Sequence, residues 1–197
     1  MSNTWGAMVL RRFDGAATQY NQAARLQTAM AWRLAGCCKR LPIPSGRWLD
    51  LGSGTGLLAD AIEQRKPGRV VERIDGSPSM LARNSRPDHT QLWDLNQPLQ
   101  AWDDAPTLIA SSFCLHWLSD PGTRLQNWFE CLAPGGWLIV ALPVKGCFPQ
   151  WHAAAHQAAV PCSALSFPTT QALLASIPKP QVRQQQPLCF SEQASHI

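Results

Sequence analysis

The sequence predicts an α/β fold, a doubly wound and mostly parallel sheet with helices on both faces. Three features predict it. Short apolar runs of strand length alternate with helical stretches between residues 47 and 142, the order that gives a parallel sheet. A glycine-rich turn, Asp50-Leu-Gly-Ser-Gly-Thr-Gly56, joins the first of these strands to the helix after it, and glycine there lets the backbone turn sharply and approach a ligand closely. A second acid, Asp75, ends the next strand.

The elements follow in order. Residues 15–40 are rich in Ala, Gln, Leu and Arg and lack Pro, which suits one long helix or two short ones. Leu41-Pro-Ile-Pro-Ser-Gly46 breaks them. Residues 47–51 form an apolar run closed by glycines, as a buried strand does. Residues 57–65 read as a helix, 69–75 as a second strand, 78–86 as a second helix and 108–113 as a third strand. A helix over 123–132 is stopped by Ala133-Pro-Gly-Gly136, and 137–142 is another apolar strand. Beyond Pro149 prolines and glutamines fragment the pattern, leaving a helix over 151–160 and a possible strand over 182–190. Two regions are expected: residues 1–45 as an N-terminal helical cap over the ligand site, and a core over 46–197 whose Pro- and Gln-rich part begins near 149.

With 197 residues the chain is long enough for one domain with a real core. No apolar run has the length of a membrane-spanning helix, and residues 1–10 lack the basic segment and cleavage pattern of a signal peptide. A cytoplasmic protein is the default expectation, with neither membrane nor nucleic acid as partner. The seven cysteines are an odd number without a C-x-x-C pair, so no metal site is expected and most read as small buried hydrophobes in a reducing compartment. Charge is unevenly spread. Residues 1–47 carry seven basic side chains against one acid, Asp14, whereas 48–146 carry eight basic and eleven acidic. A basic segment invites an acidic partner; a solvated helix face is the plainer alternative.

The glycine turn narrows the cofactor. A phosphate loop needs Gly-Lys-Ser/Thr, and no lysine lies between Lys39 and Lys66. A dinucleotide fold wants G-x-G-x-x-G, and counted from Gly52 the third glycine position is Leu57. The acid ahead of the loop decides. Asp50 would repel a pyrophosphate but attract the ammonium and sulfonium of S-adenosylmethionine. Asp75 sits where a carboxylate can accept both ribose hydroxyls, and Asp94 follows at the spacing of an adenine acceptor.

Together Asp50 to Gly56, Ile74-Asp-Gly-Ser-Pro-Ser-Met-Leu81, Asp94-Leu95 and Leu132-Ala-Pro-Gly-Gly-Trp-Leu138 resemble the successive motifs of class I S-adenosylmethionine-dependent methyltransferases, which have a Rossmann-like fold. That resemblance implies cofactor contacts from Asp50, Gly52, Gly54, Gly56, Asp75, Gly76, Met80, Asp94, Leu95 and Ser111. Finer likeness lies in the flanks. Arg12-Phe-Asp-Gly-Ala-Ala-Thr-Gln-Tyr20 with Ala23-Ala-Arg-Leu-Gln27, Ser111-Ser-Phe-Cys-Leu-His-Trp117 and Gly146-Cys-Phe-Pro-Gln-Trp151 resemble malonyl-acyl-carrier-protein O-methyltransferases of biotin synthesis. The trans-aconitate methyltransferases share the Leu-x-Trp element. The resemblance implies that Tyr20 lies over the cofactor and that His116, Trp117 and Trp151 line the acceptor site. A tyrosine on a helix surface and packed aromatics are the alternatives. Arg25 and Arg33, eight residues apart and so near one helix face, are the candidate docking residues for an acidic carrier. No general base is expected, since a carboxylate acceptor is already ionised at neutral pH. That family continues through another helix and a last antiparallel strand pair, which is expected to be incomplete here. A domain that binds the cofactor or a partner without turnover is the reading from another class.

Overall fold

A computed structural model describes residues 4–162, 165–175, 177–178, 181–182 and 184–188. Three helices lead: α1 (Thr4–Ala16), α2 (Tyr20–Ala23) and α3 (Arg25–Arg40). The core follows as β1 (Trp48–Leu51), α4 (Leu57–Arg65), β2 (Glu72–Asp75), α5 (Pro78–Leu81), β3 (Thr90–Leu92), β4 (Leu108–Ser112), α6 (Pro121–Glu130), β5 (Trp137–Ala141), α7 (Pro149–Gln157) and α8 (Thr170–Leu174).

The five strands pair in the order β3-β2-β1-β4-β5, each pairing parallel. The doubly wound sheet is therefore present. β1 is central and buried along its whole length, as expected for a strand covered on both faces. Alternation sends its side chains to opposite layers. Trp48 packs with Met30, Leu34, Cys38, Ala59 and Ile62 of α3 and α4. Leu49 and Leu51 pack with Ile109, Leu125, Trp128 and Leu173 on the other face. Strand order reverses between β1 and β4, and in such sheets ligands bind beyond the carboxyl ends of the strands at that point.

Local chemistry sets the helix starts. Ser77 Oγ accepts from Met80 N at 3.2 Å ahead of Pro78, and Asp120 Oδ1 accepts from Thr123 N at 3.0 Å ahead of Pro121, an N-cap followed by proline at the first helical position. α4 is tied to β2 from the side. Arg73, fully buried, donates to Asp60 at 2.7 Å, to Glu63 at 3.1 Å and to the Val71 carbonyl at 2.6 Å.

Several expectations change. α1 lies within the 1–45 cap region but ahead of the 15–40 stretch read as helical, because Gly6 and Gly15 interrupt its helical composition. The second helix ends at Leu81, not residue 86, and the three-residue edge strand β3 is too short to show a period. The possible strand over 182–190 forms none among its described residues; 183, 189 and 190 lie outside them. Val182 and Leu188 instead lie half-buried against the two core layers. No helix of the described residues is long and apolar enough to cross a membrane.

Candidate functional site

Beyond the carboxyl ends of β1, β2 and β4 lies a cleft roofed by α1 and walled by Tyr20, the glycine loop, Asp75, Asp94 and Trp117. The loop owes its shape to its glycines. Gly52 has φ 72° and Gly56 φ 94°; a Cβ on Gly52 would run into the side chain of Cys114, and one on Gly56 into Asn84 Oδ1. Gly54 lines the cleft with nothing within 4 Å of where its Cβ would stand, a cradle open to a ligand. Gly52 N donates to the Ile74 carbonyl at 2.8 Å, and Asn84 Nδ2 braces the loop through the Gly54 carbonyl at 2.9 Å.

Three acids line the cleft. Asp50 is 1% exposed; its Oδ2 accepts from Ala59 N at 3.0 Å, in the first turn of α4, and its Oδ1 is buried without a partner. Burial pushes its carboxyl up to about 7, against the opposing pull of the Ala59 N–H and Arg73. Asp75 accepts from Gly54 N and Ser77 N, each at 2.8 Å, and burial raises it too. Each of its oxygens keeps a second lone pair. Asp94 is exposed, with Oδ1 accepting from Asn96 N at 2.9 Å. None of the three acids takes part in an ion pair among the described residues. An orphaned buried carboxylate oxygen and a glycine cradle fit a ligand carrying a cation and hydroxyls.

α1 is held over this cleft by its own contacts. Asp14 Oδ1 accepts from Ser77 Oγ at 2.5 Å and Ser79 N at 3.2 Å, and these bonds keep its carboxyl below the ordinary value. Trp5 Nε1 donates to the Trp117 carbonyl at 3.0 Å, and in the following α2 Asn21 Oδ1 accepts from Thr55 Oγ1 at 2.6 Å. Phe13 sits edge-on to both Tyr20 and Trp117, at 6.3 and 5.7 Å. Burial, then the nearby Asp75 charge, raises the Tyr20 phenol.

The structure thus gathers Tyr20, Asp50, Gly52, Gly54, Asp75, Gly76, Met80, Asp94, Leu95 and Trp117 around one cleft. Gly56 sits behind it, starting α4. Ser111 is turned away: it is fully buried and its hydroxyl donates to the Leu51 carbonyl at 2.7 Å, so Ser112, next along the strand, faces the cleft instead. Trp151 lines neither this cleft nor the groove beside it; it is 57% exposed on α7, a helix with no buried residue to anchor it. His116 lines that neighbouring groove with Trp5, Leu118 and Phe167. Arg25 and Arg33 are exposed on α3. Asp14, Phe13, Asn84 and Cys114 escaped sequence reasoning, although Phe13, Asp14 and Cys114 stood inside motifs already singled out. Among the described residues no group of three His, Cys, Asp or Glu is placed to hold a metal ion.

Comparison with known proteins gives the same direction. The methyltransferase domain family matches residues 23–174. A malonyl-[acyl-carrier protein] O-methyltransferase of Alcanivorax borkumensis is 34% identical over 149 residues, covering 71% of this chain and 49% of that protein. A trans-aconitate 2-methyltransferase of Mycobacterium tuberculosis is 34% identical over 99 residues, covering 49% of this chain and 37% of its own. This chain therefore spans half or less of those relatives' lengths. Among solved structures, a methyltransferase of Thermotoga maritima described as a possible histamine N-methyltransferase aligns with a TM-score of 0.59 at 18% identity, over 84% of this chain and 76% of that one. That likeness is one of fold.

Proposed function

This chain belongs to the methyltransferase domain family, and from that premise we propose that it is an S-adenosylmethionine-dependent O-methyltransferase. Its acceptor is the free carboxylate of malonyl-acyl carrier protein, a step of biotin synthesis. The observation that carries the cofactor is the buried, unpartnered Oδ1 of Asp50 in a cleft whose acids make no ion pair among the described residues. Two relatives whose names specify carboxylate acceptors support the chemistry, and the likeness of residues 12–27 supports the malonyl carrier over trans-aconitate.

S-Adenosylmethionine, when bound, supplies an electrophilic methyl group on a sulfonium. Asp50 holds its ammonium, Asp75 the ribose hydroxyls, and Asp94 with Leu95 the adenine end. Gly52 and Gly54 let the backbone approach the methionine part, Gly56 turns the loop into α4 behind it, and Gly76 and Met80 complete the wall. The acceptor carboxylate is ionised at neutral pH, with a reference pKa of about 4. No residue has to take its proton, and the chain's work is to place it in line and exclude water. Tyr20, Phe13 and Trp117 form the aromatic side of that enclosure. Arg25 and Arg33 offer charge to an acidic carrier.

Incubation with methyl-labelled S-adenosylmethionine should label malonyl-acyl carrier protein as a base-labile ester and leave trans-aconitate nearly unlabelled. The saturated rate should be flat from about pH 6 to 8, because the acceptor stays charged. A rate rising tenfold per pH unit would mean an acceptor that must first lose a proton. Label on trans-aconitate alone would move the assignment to that acceptor.

A further inference from the structure

Beside the cofactor cleft runs a second groove of about 510 Å³, open on one side and lined by Trp5, His116, Leu118, Pro121, Leu165 and Phe167 among others. It shares Leu118 with the cleft, and the Trp5–Trp117 stack at 6.4 Å stands between the two. Its lining holds no Lys, Arg, Asp or Glu. A charged group entering it would lose part of its hydration and meet no counter-ion in that lining, which is unfavourable. An uncharged chain would gain apolar burial.

Of the polar side chains in that lining, Ser119 and Ser166 are exposed and His116 is buried. His116 is 8% exposed and wedged among Trp117, Phe167 and Phe113 at ring distances of 4.9, 5.6 and 6.4 Å. Burial lowers its pKa to about 4, so the ring is neutral and carries one proton. It makes no hydrogen bond among the described residues; Nδ1 is sealed without a partner, while Nε2 is not so enclosed. An orphaned buried N–H is rarer than an under-satisfied acceptor. The proton therefore belongs on Nε2, the unsealed nitrogen of this groove-lining ring, leaving Nδ1 as the bare lone pair.

We propose that this groove holds the uncharged acyl part of the methyl acceptor, with a carbonyl oxygen accepting a hydrogen bond from Nε2–H of His116. The proposal rests on the carboxyl methyltransferase reading and adds a selection rule to it. The reacting carboxylate enters the acid-lined cleft's mouth, where the cofactor's cation compensates it. The remainder of the acceptor must be neutral and carry a carbonyl, as a thioester, ester or amide does. A second carboxylate would meet no Lys or Arg in the groove's described lining. His116 is then a positioning residue.

The test uses malonyl-pantetheine, a small thioester, and trans-aconitate, with the full chain. His116→Phe keeps the ring shape and removes the donor; His116→Gln keeps a donor. His116→Phe should raise KM for malonyl-pantetheine about tenfold, the scale of one neutral hydrogen bond, with S-adenosylhomocysteine titration unchanged. His116→Gln should recover most of that loss. Leu165→Arg should shift the kcat/KM ratio toward trans-aconitate. Independently of turnover, ¹⁵N spectra of the imidazoles, assigned with His116→Gln, should show His116 protonated on Nε2 and shifted by malonyl-pantetheine in the presence of S-adenosylhomocysteine. An Nδ1–H tautomer, a His116 signal unmoved by the thioester, or an unchanged KM in His116→Phe would each overturn the proposal. If no acceptor is methylated, the enzymatic reading fails, and the spectra still decide whether the groove takes the thioester.

Discussion

Asp60 and Glu63 on α4, and Asp50 and Asp75 on β1 and β2, are four acids of one strand-helix-strand unit with opposite surroundings. The first pair faces Arg73, whose guanidinium bridges both at 2.7 and 3.1 Å, and Arg86 adds a contact to Glu63 at 2.8 Å. The second pair receives only backbone N–H donors, and one oxygen of Asp50 receives nothing. A buried charge is tolerated when paired and costly when not. The acids beside Arg73 therefore serve the fold, holding α4 against β2. The acids in the cleft make no ion pair among the described residues, and a bound cation would relieve the cost of ionising them there.

The comparison can be broken from either side. The largest effect is expected from the paired set. Arg73→Met leaves two carboxylates facing an emptied site and should cost about 3 to 5 kcal/mol of stability, read as a fall in denaturation midpoint. A loss below 1 kcal/mol would place Arg73 outside the scaffold. On the other side, Asp75→Ala should weaken S-adenosylhomocysteine by about 1.5 to 3 kcal/mol, the range for hydrogen bonds to a charged acceptor. Titration calorimetry on the folded variant checks this, and unchanged binding would remove Asp75 from the site.

Asp50 gives a sharper contrast because its titration falls near neutrality. Its folded pKa is raised from 3.8 to about 7. Its contribution to stability is therefore fully present below the unfolded value near 3.8 and is lost as pH rises through about 7. Asp50→Asn should lose that dependence and gain midpoint relative to the parent at pH 8. A cationic ligand favours the ionised form, so parental affinity for S-adenosylmethionine should rise from pH 6 to 8 while that of Asp50→Asn stays flat. Matching profiles would mean that Asp50 does not face the ligand cation.

The smallest effect concerns the surface. Arg25→Glu with Arg33→Glu should depress kcat/KM for the carrier-bound substrate, and less so as salt shortens the screening length to about 8 Å. A malonyl thioester without the carrier should be little affected. Equal losses on both substrates would point to damage in α3 instead of a docking contact.

Much of this was legible because it is local in sequence. Asp50, the glycines and Asp75 fall at the ends of apolar runs, and that spacing puts them at one edge of a parallel sheet. Asp14 and Asn84 were not legible, since their partners Ser77 and the Gly54 carbonyl are decided by how α1 and α5 dock. Ser111 shows the limit within a single strand. Its place in a motif says nothing of which face it takes, and the alternation of side chains turned it inward and Ser112 outward.

By itself the sequence determined the class of the fold and the acids that mark its ligand edge, because strand length, glycine and charge order act over a few residues. The tertiary structure alone decided that Cys114 fills the space a side chain at Gly52 would need, which contacts pin α1 over the cleft, and that Trp151 stands outside it. It also decided which nitrogen of His116 is sealed. Those outcomes depend on burial and on contacts between segments far apart in the chain, where the packing of one layer fixes what another can reach.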